Sequence, residues 1–182
     1  MYKLSLGRTG YTLIELMVTI IIAGILLGIA IPNFTSIISS NRLTTYANEL
    51  VTSLNFARSE AIKRGLRITL CKSTNGNGCN AINDWSQGWI IFTDKNNNAD
   101  YDSSSETLLR VQANSVSAVT MVGNSNVVNY ISYVGTGQSK LISGAFQAGT
   151  IKVCDDRTGN VGINIVINSV ARIAIQRNIA CP

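Results

Sequence analysis

The chain has 182 residues, with fifteen Lys and Arg, ten Asp and Glu, and no histidine. Without histidine there is no Ser-His or Cys-His pair to activate a nucleophile, and no glycine-rich phosphate loop precedes a helix, so the composition argues against an enzyme. Zinc is disfavoured as well, because the four cysteines are spaced by eight residues or more rather than in close Cys-x-x-Cys pairs.

Met1–Gly10 carries Lys3 and Arg8 and is too short and too polar for the charged, apolar and cleavage regions of an ordinary secretory signal. The apolar run follows it. Residues 11–31 would make a helix about 31 Å long at 1.5 Å per residue, matching a hydrocarbon core of about 30 Å. The basic residues ahead of it predict a cytoplasmic N-terminus, with everything beyond Pro32 across the membrane. Glu15 interrupts this run. An acid at the centre of a spanning helix costs on the order of 2.5–3.5 kcal/mol on insertion scales, so Glu15 asks for a cation as its partner.

Beyond Pro32 the apolar residues Ile37, Ile38, Leu43, Tyr46, Ala47, Leu50, Val51, Leu54, Ala57, Ala61 and Ile62 keep a three- and four-residue step, an amphipathic continuation of the same helix. Pro32 should bend it rather than end it, and Arg64-Gly65 reads as its stop. The period then changes to that of strands. The expected strands are Arg67–Lys72, Gly88–Thr93, Thr107–Val111, Val116–Val122, Val127–Tyr133, Thr150–Asp155, Asn160–Ile167 and Ala171–Gln176, separated by Asn-, Gly- and Ser-rich turns. Several gaps are too short for a helical crossover, so the pairing should be antiparallel. The fold class is α+β, a long N-terminal helix whose second half packs on an antiparallel β-rich globular head.

Cys71, Cys79, Cys154 and Cys181 allow three pairings, of which chain order and loop content favour Cys71–Cys79 and Cys154–Cys181. In the loop-entropy picture these contribute about 2.6 and 3.6 kcal/mol. The run Asp94–Asp102 places oxygen ligands at alternate positions, as calcium loops do. It has Ala99 and Ser105 where an EF-hand needs Gly and Glu, however, and reads as an Asx-rich turn that needs no ion. Trp85 and Trp89 read as core and strand-edge packing, and Asp155-Asp156 as an exposed turn. Arg58, Glu60, Lys63 and Arg64 read as a solvated helical charge face.

The opening residues Gly10-Tyr11-Thr12-Leu13-Ile14-Glu15-Leu16, behind a short basic leader, resemble the class III signal of type IV prepilins and pseudopilins. The blocks Ala57-Arg58-Ser59-Glu60-Ala61-Ile62-Lys63-Arg64-Gly65, Ile68-Thr69-Leu70-Cys71 and Trp85–Asp94, followed by Leu108-Leu109-Arg110, resemble the GspH/FimT family of minor pilins and minor pseudopilins. The resemblance implies that prepilin peptidase cuts between Gly10 and Tyr11 and methylates the new N-terminus. It also implies that Glu15 pairs with the N-terminal amine of a neighbouring subunit. On this reading residues 1–10 are a leader peptide, 11–32 the transmembrane and filament-core helix, and 33–182 the periplasmic head with the C-terminal half of the helix. The protein would lie in the bacterial inner membrane as a single-pass subunit before entering a filament. Its partners would be prepilin peptidase, other minor pilins, and a major pilin or pseudopilin. No cofactor is implied.

The resemblance also brings an alternative. The FimT branch includes pilins that bind DNA in natural transformation through a Gly-Arg-x-Arg motif near the C-terminus, and the matching residues here are Ala171-Arg172-Ile173-Ala174, with only the first arginine kept. Setting aside Lys3, Arg8 and Glu15, the head holds thirteen basic and nine acidic residues, net +4. Lys152, Arg157, Arg172 and Arg177 are the candidate phosphate contacts if they share one face. Arg172 and Arg177 differ in parity, which on a regular strand sends them to opposite sides.

Overall fold

The computed structural model describes residues 10–80, 84–113, 118–124 and 126–182, with residues 30–33 described by their backbone alone. The expected leader, apart from Gly10, and the start of the expected strand at Val116 lie outside the described residues. One helix, α1 (Leu13–Arg64), runs through position 32 without ending. The chain divides into two compact units, one reaching Ser39 and the other Ser40–Pro182.

From Leu13 to Ile29, apart from Glu15 and Thr19, α1 is apolar on every side, and every residue there is exposed. Leu13, Ile14, Met17, Ile21, Ile25 and Ile29 are all more than half exposed. A helix apolar all round belongs inside something, a bilayer or a bundle, because water on that surface forfeits about 25 cal/mol per Å².

In the second unit the same helix turns one stripe inward. Leu43, Ala47, Leu50, Leu54, Ala57 and Ala61 are buried at steps of three and four residues. The helix stops because Gly65 takes a left-handed φ of 66° while its N–H donates to the Ala61 carbonyl at 2.9 Å.

Among the described residues eight strands follow: β1 (Ile68–Lys72), β2 (Gly88–Thr93), β3 (Leu108–Ala113), β4 (Val119–Gly123), β5 (Tyr130–Tyr133), β6 (Gly149–Asp155), β7 (Gly159–Ile167) and β8 (Ile173–Cys181). They form two antiparallel sheets, β3-β2-β1-β5 and β4-β6-β7-β8. Both sheets give one face to a core shared with the helix, in which Leu70, Trp89, Ile91 and Ile131 of the first sheet meet Met121, Ile151, Val153 and Ile165 of the second. β1 and β2 are buried on both faces, since a smaller cluster of Cys71, Ile90 and Phe92 packs on the far side of their sheet against Tyr101 and Leu108. The two sheets are linked where Asp84 accepts from the Met121 N–H at 3.1 Å and the Trp85 indole N–H donates to the Val127 carbonyl at 2.9 Å.

Most strand ends shift by a residue or more from expectation, and two of the later starts do so for a clear local reason. Val127 does not join β5: it is fully buried, its N–H closes a turn onto the Asn124 carbonyl, and its own carbonyl takes the indole of Trp85. The last strand starts at Ile173 rather than Ala171, because Ala171 sits in a turn at φ 63°, closed on Asn168. It then runs on to Cys181, which bonds to Cys154. Between those two cysteines lies Gly162, where a Cβ would come within 2.6 Å of the Cys181 sulfur and 3.2 Å of the Cys154 sulfur. Only glycine leaves room for the bridge to cross β7.

Candidate assembly site

The helix begins at a capping box. Thr12 is the residue before the first turn. Its backbone N–H donates to Glu15 Oε2 at 3.4 Å, and the Glu15 N–H donates back to Thr12 Oγ1 at 3.3 Å. The first helical bond, from the Leu16 N–H to the Thr12 carbonyl, is 3.1 Å. Glu15 thus lies in the first turn, where the unpaired amides of the helix end favour a negative charge. Sequence reading passed over Thr12, although Thr-x-x-Glu ahead of an apolar run is the signature that finds it.

This arrangement changes what Glu15 requires. An ionised carboxylate has about four acceptor positions, and the box fills one of them with a long bond. Glu15 is exposed, as is Tyr11 at 83%. A cation from another chain can therefore reach Glu15 without displacing its own cap. Gly10 and Tyr11 precede the helix in exposed, non-helical backbone.

The four basic head residues do not meet on one surface. Arg177 on β8 pairs with Ile163 of β7, which faces the core, and its guanidinium donates to Thr44 Oγ1 on the helix at 3.2 Å. Arg157 is bound to Asp155 at 2.7 Å and also reaches Ser40 Oγ at 3.1 Å. Lys152 lies on the opposite side of its sheet, in register with Asn164, and its ammonium donates to the Ala180 carbonyl at 3.1 Å. Arg172 is exposed at the turn between β7 and β8, its N–H held by Asn168 at 2.8 Å. Arg157 and Arg177 are brought to the same stretch of helix. Lys152 is not with them.

Arg58 proves not to be part of the solvated charge face. Half-buried, it donates to the Gly137 carbonyl at 2.9 Å and the Ala171 carbonyl at 3.3 Å, joining the helix to two loops. Glu60 with Lys63 at 3.6 Å and Arg64 at 2.6 Å forms the surface cluster, and the Arg64 hydrogen bond holds the Glu60 carboxyl below its ordinary value. Burial raises the Tyr133 hydroxyl well above the usual phenol range, with Arg58 opposing. Two further residues carry no sequence signal. Arg67 donates to Asn97, Ser132 and the Lys140 carbonyl. Gln147 is fully buried, and its side-chain amide pairs with the Ser132 N–H and the Tyr130 carbonyl, standing in for a further strand beside β5.

Asp94 of the Asp94–Asp102 loop and Glu106 just beyond it accept from the loop's own amides and from β1. Asp94 accepts from Thr69 Oγ1 at 2.8 Å and from the N–H groups of Asn98 and Ala99, and Glu106 accepts from the N–H groups of Lys95 and Asp102. The turn is closed by its own amides. Cys71 is bonded to Cys79 and Cys154 to Cys181.

A family model described as the type II transport protein GspH matches residues 46–171, and one for the prokaryotic N-terminal methylation motif matches residues 6–31. The chain is 38% identical over 101 residues to the pilin-like protein PilA1 of Thermus thermophilus, covering 54% of this chain and 56% of that protein. It thus spans little more than half the length of that relative. Two crystal forms of the type IV minor pilin FimU of Pseudomonas aeruginosa are similar at TM-scores of 0.56 and 0.54, each at 22% identity. They cover 76% and 75% of this chain and 90% and 94% of theirs, a likeness of fold.

Proposed function

Since this chain belongs to the GspH family of minor pilins and pseudopilins, we propose that it is a structural subunit that helps initiate or cap a type IV pilus or a type II secretion pseudopilus. The observation that carries the reading is a helix apolar on all sides from Leu13 to Ile29 with a capped but unsaturated carboxylate at its head. In this mechanism prepilin peptidase removes the leader at Gly10 and frees the amine of Tyr11 for methylation. The subunit rests in the inner membrane, N-terminus cytoplasmic and head periplasmic. Glu15 then draws the amine of a neighbouring subunit, setting axial register, and the apolar helices exchange lipid for one another as the filament leaves the bilayer. No catalytic step is assigned to the chain itself.

The test is Glu15→Ala in cells, followed by immunoblotting of sheared filaments and by mass spectrometry of the mature N-terminus. Incorporation should fall at least tenfold while cleavage before Tyr11 persists; unchanged incorporation would refute the pairing. DNA uptake is the alternative role. The separation of Lys152 from Arg157 and Arg177 weighs against a continuous phosphate track. A duplex mobility shift that weakens with salt and is lost in Arg172→Ala/Arg177→Ala would reinstate it.

A further inference from the structure

The loop closed by Cys71 and Cys79 contains two identical dipeptides, Asn75-Gly76 and Asn77-Gly78, the only Asn-Gly pairs in the sequence. Such a pair carries its own chemistry. The amide nitrogen of the glycine, having given its proton to a solvent base, can attack the side-chain Cγ of the asparagine. A C–N bond forms, Nδ2 departs as ammonia, and the resulting succinimide is opened by water to aspartate or isoaspartate. No oxidant, reductant or enzyme enters. Glycine permits the reaction because no Cβ crowds the attacking nitrogen.

Exposure does not separate the two sites, since both asparagines are exposed. Hydrogen bonding does. At the first pair the Gly76 N–H is donated to Ser73 Oγ at 3.0 Å, and Asn75 Oδ1 is engaged by the Asn77 N–H at 3.0 Å. Nucleophile and electrophile are thus both tied, and Gly76 is further fixed at φ 74° with its Cβ position 2.8 Å from a Val111 methyl. At the second pair the side chain of Asn77 and the N–H of Gly78 make no hydrogen bond among the described residues, and nothing lies within 4 Å of the Gly78 Cβ position. Among the described residues, no hydrogen bond ties either the attacking nitrogen or the Asn77 side chain.

We propose that Asn77 is a site of spontaneous deamidation in the folded protein, and that Asn75, two residues away in the same motif, is protected by Ser73. The product adds one negative charge to the head, and the disulfide confines the altered backbone to the loop. For an exported subunit that persists in a filament, this is an ageing mark at a defined position.

The experiment incubates the full-length protein in detergent for days at mildly alkaline pH, which favours the deprotonated nitrogen. Peptide mapping by mass spectrometry then follows the amide-to-acid mass shift at each asparagine, with a reduced and denatured sample alongside. Asn77 should convert several-fold faster than Asn75 in the folded chain, and the two rates should converge once the chain is unfolded. Ser73→Ala should raise the Asn75 rate and leave that of Asn77 unchanged. Equal rates in the folded chain, faster conversion at Asn75, or no conversion at Asn77 while the denatured chain reacts would each overturn the assignment.

Discussion

Removing the Cys154–Cys181 bridge should loosen one strand more than it weakens the whole head. β8 is an edge strand in which Ala174 to Asn178 are all exposed, with only Cys181 buried and Ile173 and Ile179 half-buried. Pairing with β7, the Arg177 contact to Thr44, the Lys152 ammonium on the Ala180 carbonyl and Ile173 against the core are its other restraints. The bridge spans a sequence separation of 27, and closing a loop of that length is worth about 3.6 kcal/mol in the unfolded-state entropy model. For a domain of this size about 2–4 °C accompanies each kcal/mol, so Cys154→Ala/Cys181→Ala should lower Tm by about 10 °C. Thermal unfolding followed by circular dichroism measures the total, and hydrogen exchange resolves where it falls. Amides of β8 should lose protection well before those of β1 and β2, which are buried on both faces. A loss of stability well under half the calculated value, or a uniform loss of protection over both sheets, would refute the reasoning.

Ala99 holds a left-handed φ of 58°, so Ala99→Gly should stabilise the head by about 0.5–1 kcal/mol, read from the urea midpoint. Arg58→Ala deletes two charge-assisted bonds to carbonyls and should cost about 2–3 kcal/mol in the same assay. Asp102 is held below its ordinary pKa by the Ser104 side-chain and backbone donors and by Ser105. Its contribution to stability is therefore present above the ordinary carboxyl value and lost as pH falls through the lower folded one. An NMR titration should place the Asp102 midpoint below that of Ser104→Ala/Ser105→Ala, and the same midpoint in both would count against the hydrogen bonds as cause.

Much of the architecture was legible because it rests on period. The switch from three- and four-residue steps to alternation after Gly65 marks the end of α1 whatever the head does later. What periodicity misses is where a polar group spends its bonds. Arg58 is one of four charged residues in a seven-residue stretch, and nothing in their spacing tells which one turns inward to Gly137 and Ala171. Gln147 lies in a stretch without pattern, yet its amide completes the edge of β5. Val127 shows the converse, a β-branched residue outside its expected strand, fully buried, with its N–H closing a turn and its carbonyl taking the Trp85 indole.

Local chemistry, then, was written into the chain itself. An apolar run of membrane length, an acid near its start and a threonine three residues before that acid all act within a turn or two of helix, so no knowledge of the fold is needed to read them. The basic residues of the head belong to the other kind. Whether Lys152, Arg157, Arg172 and Arg177 form one surface depends on strand register and on which side of a sheet meets the helix. Those are set by the burial of residues far away in sequence, and only the folded head could separate Lys152 from the two arginines that reach α1.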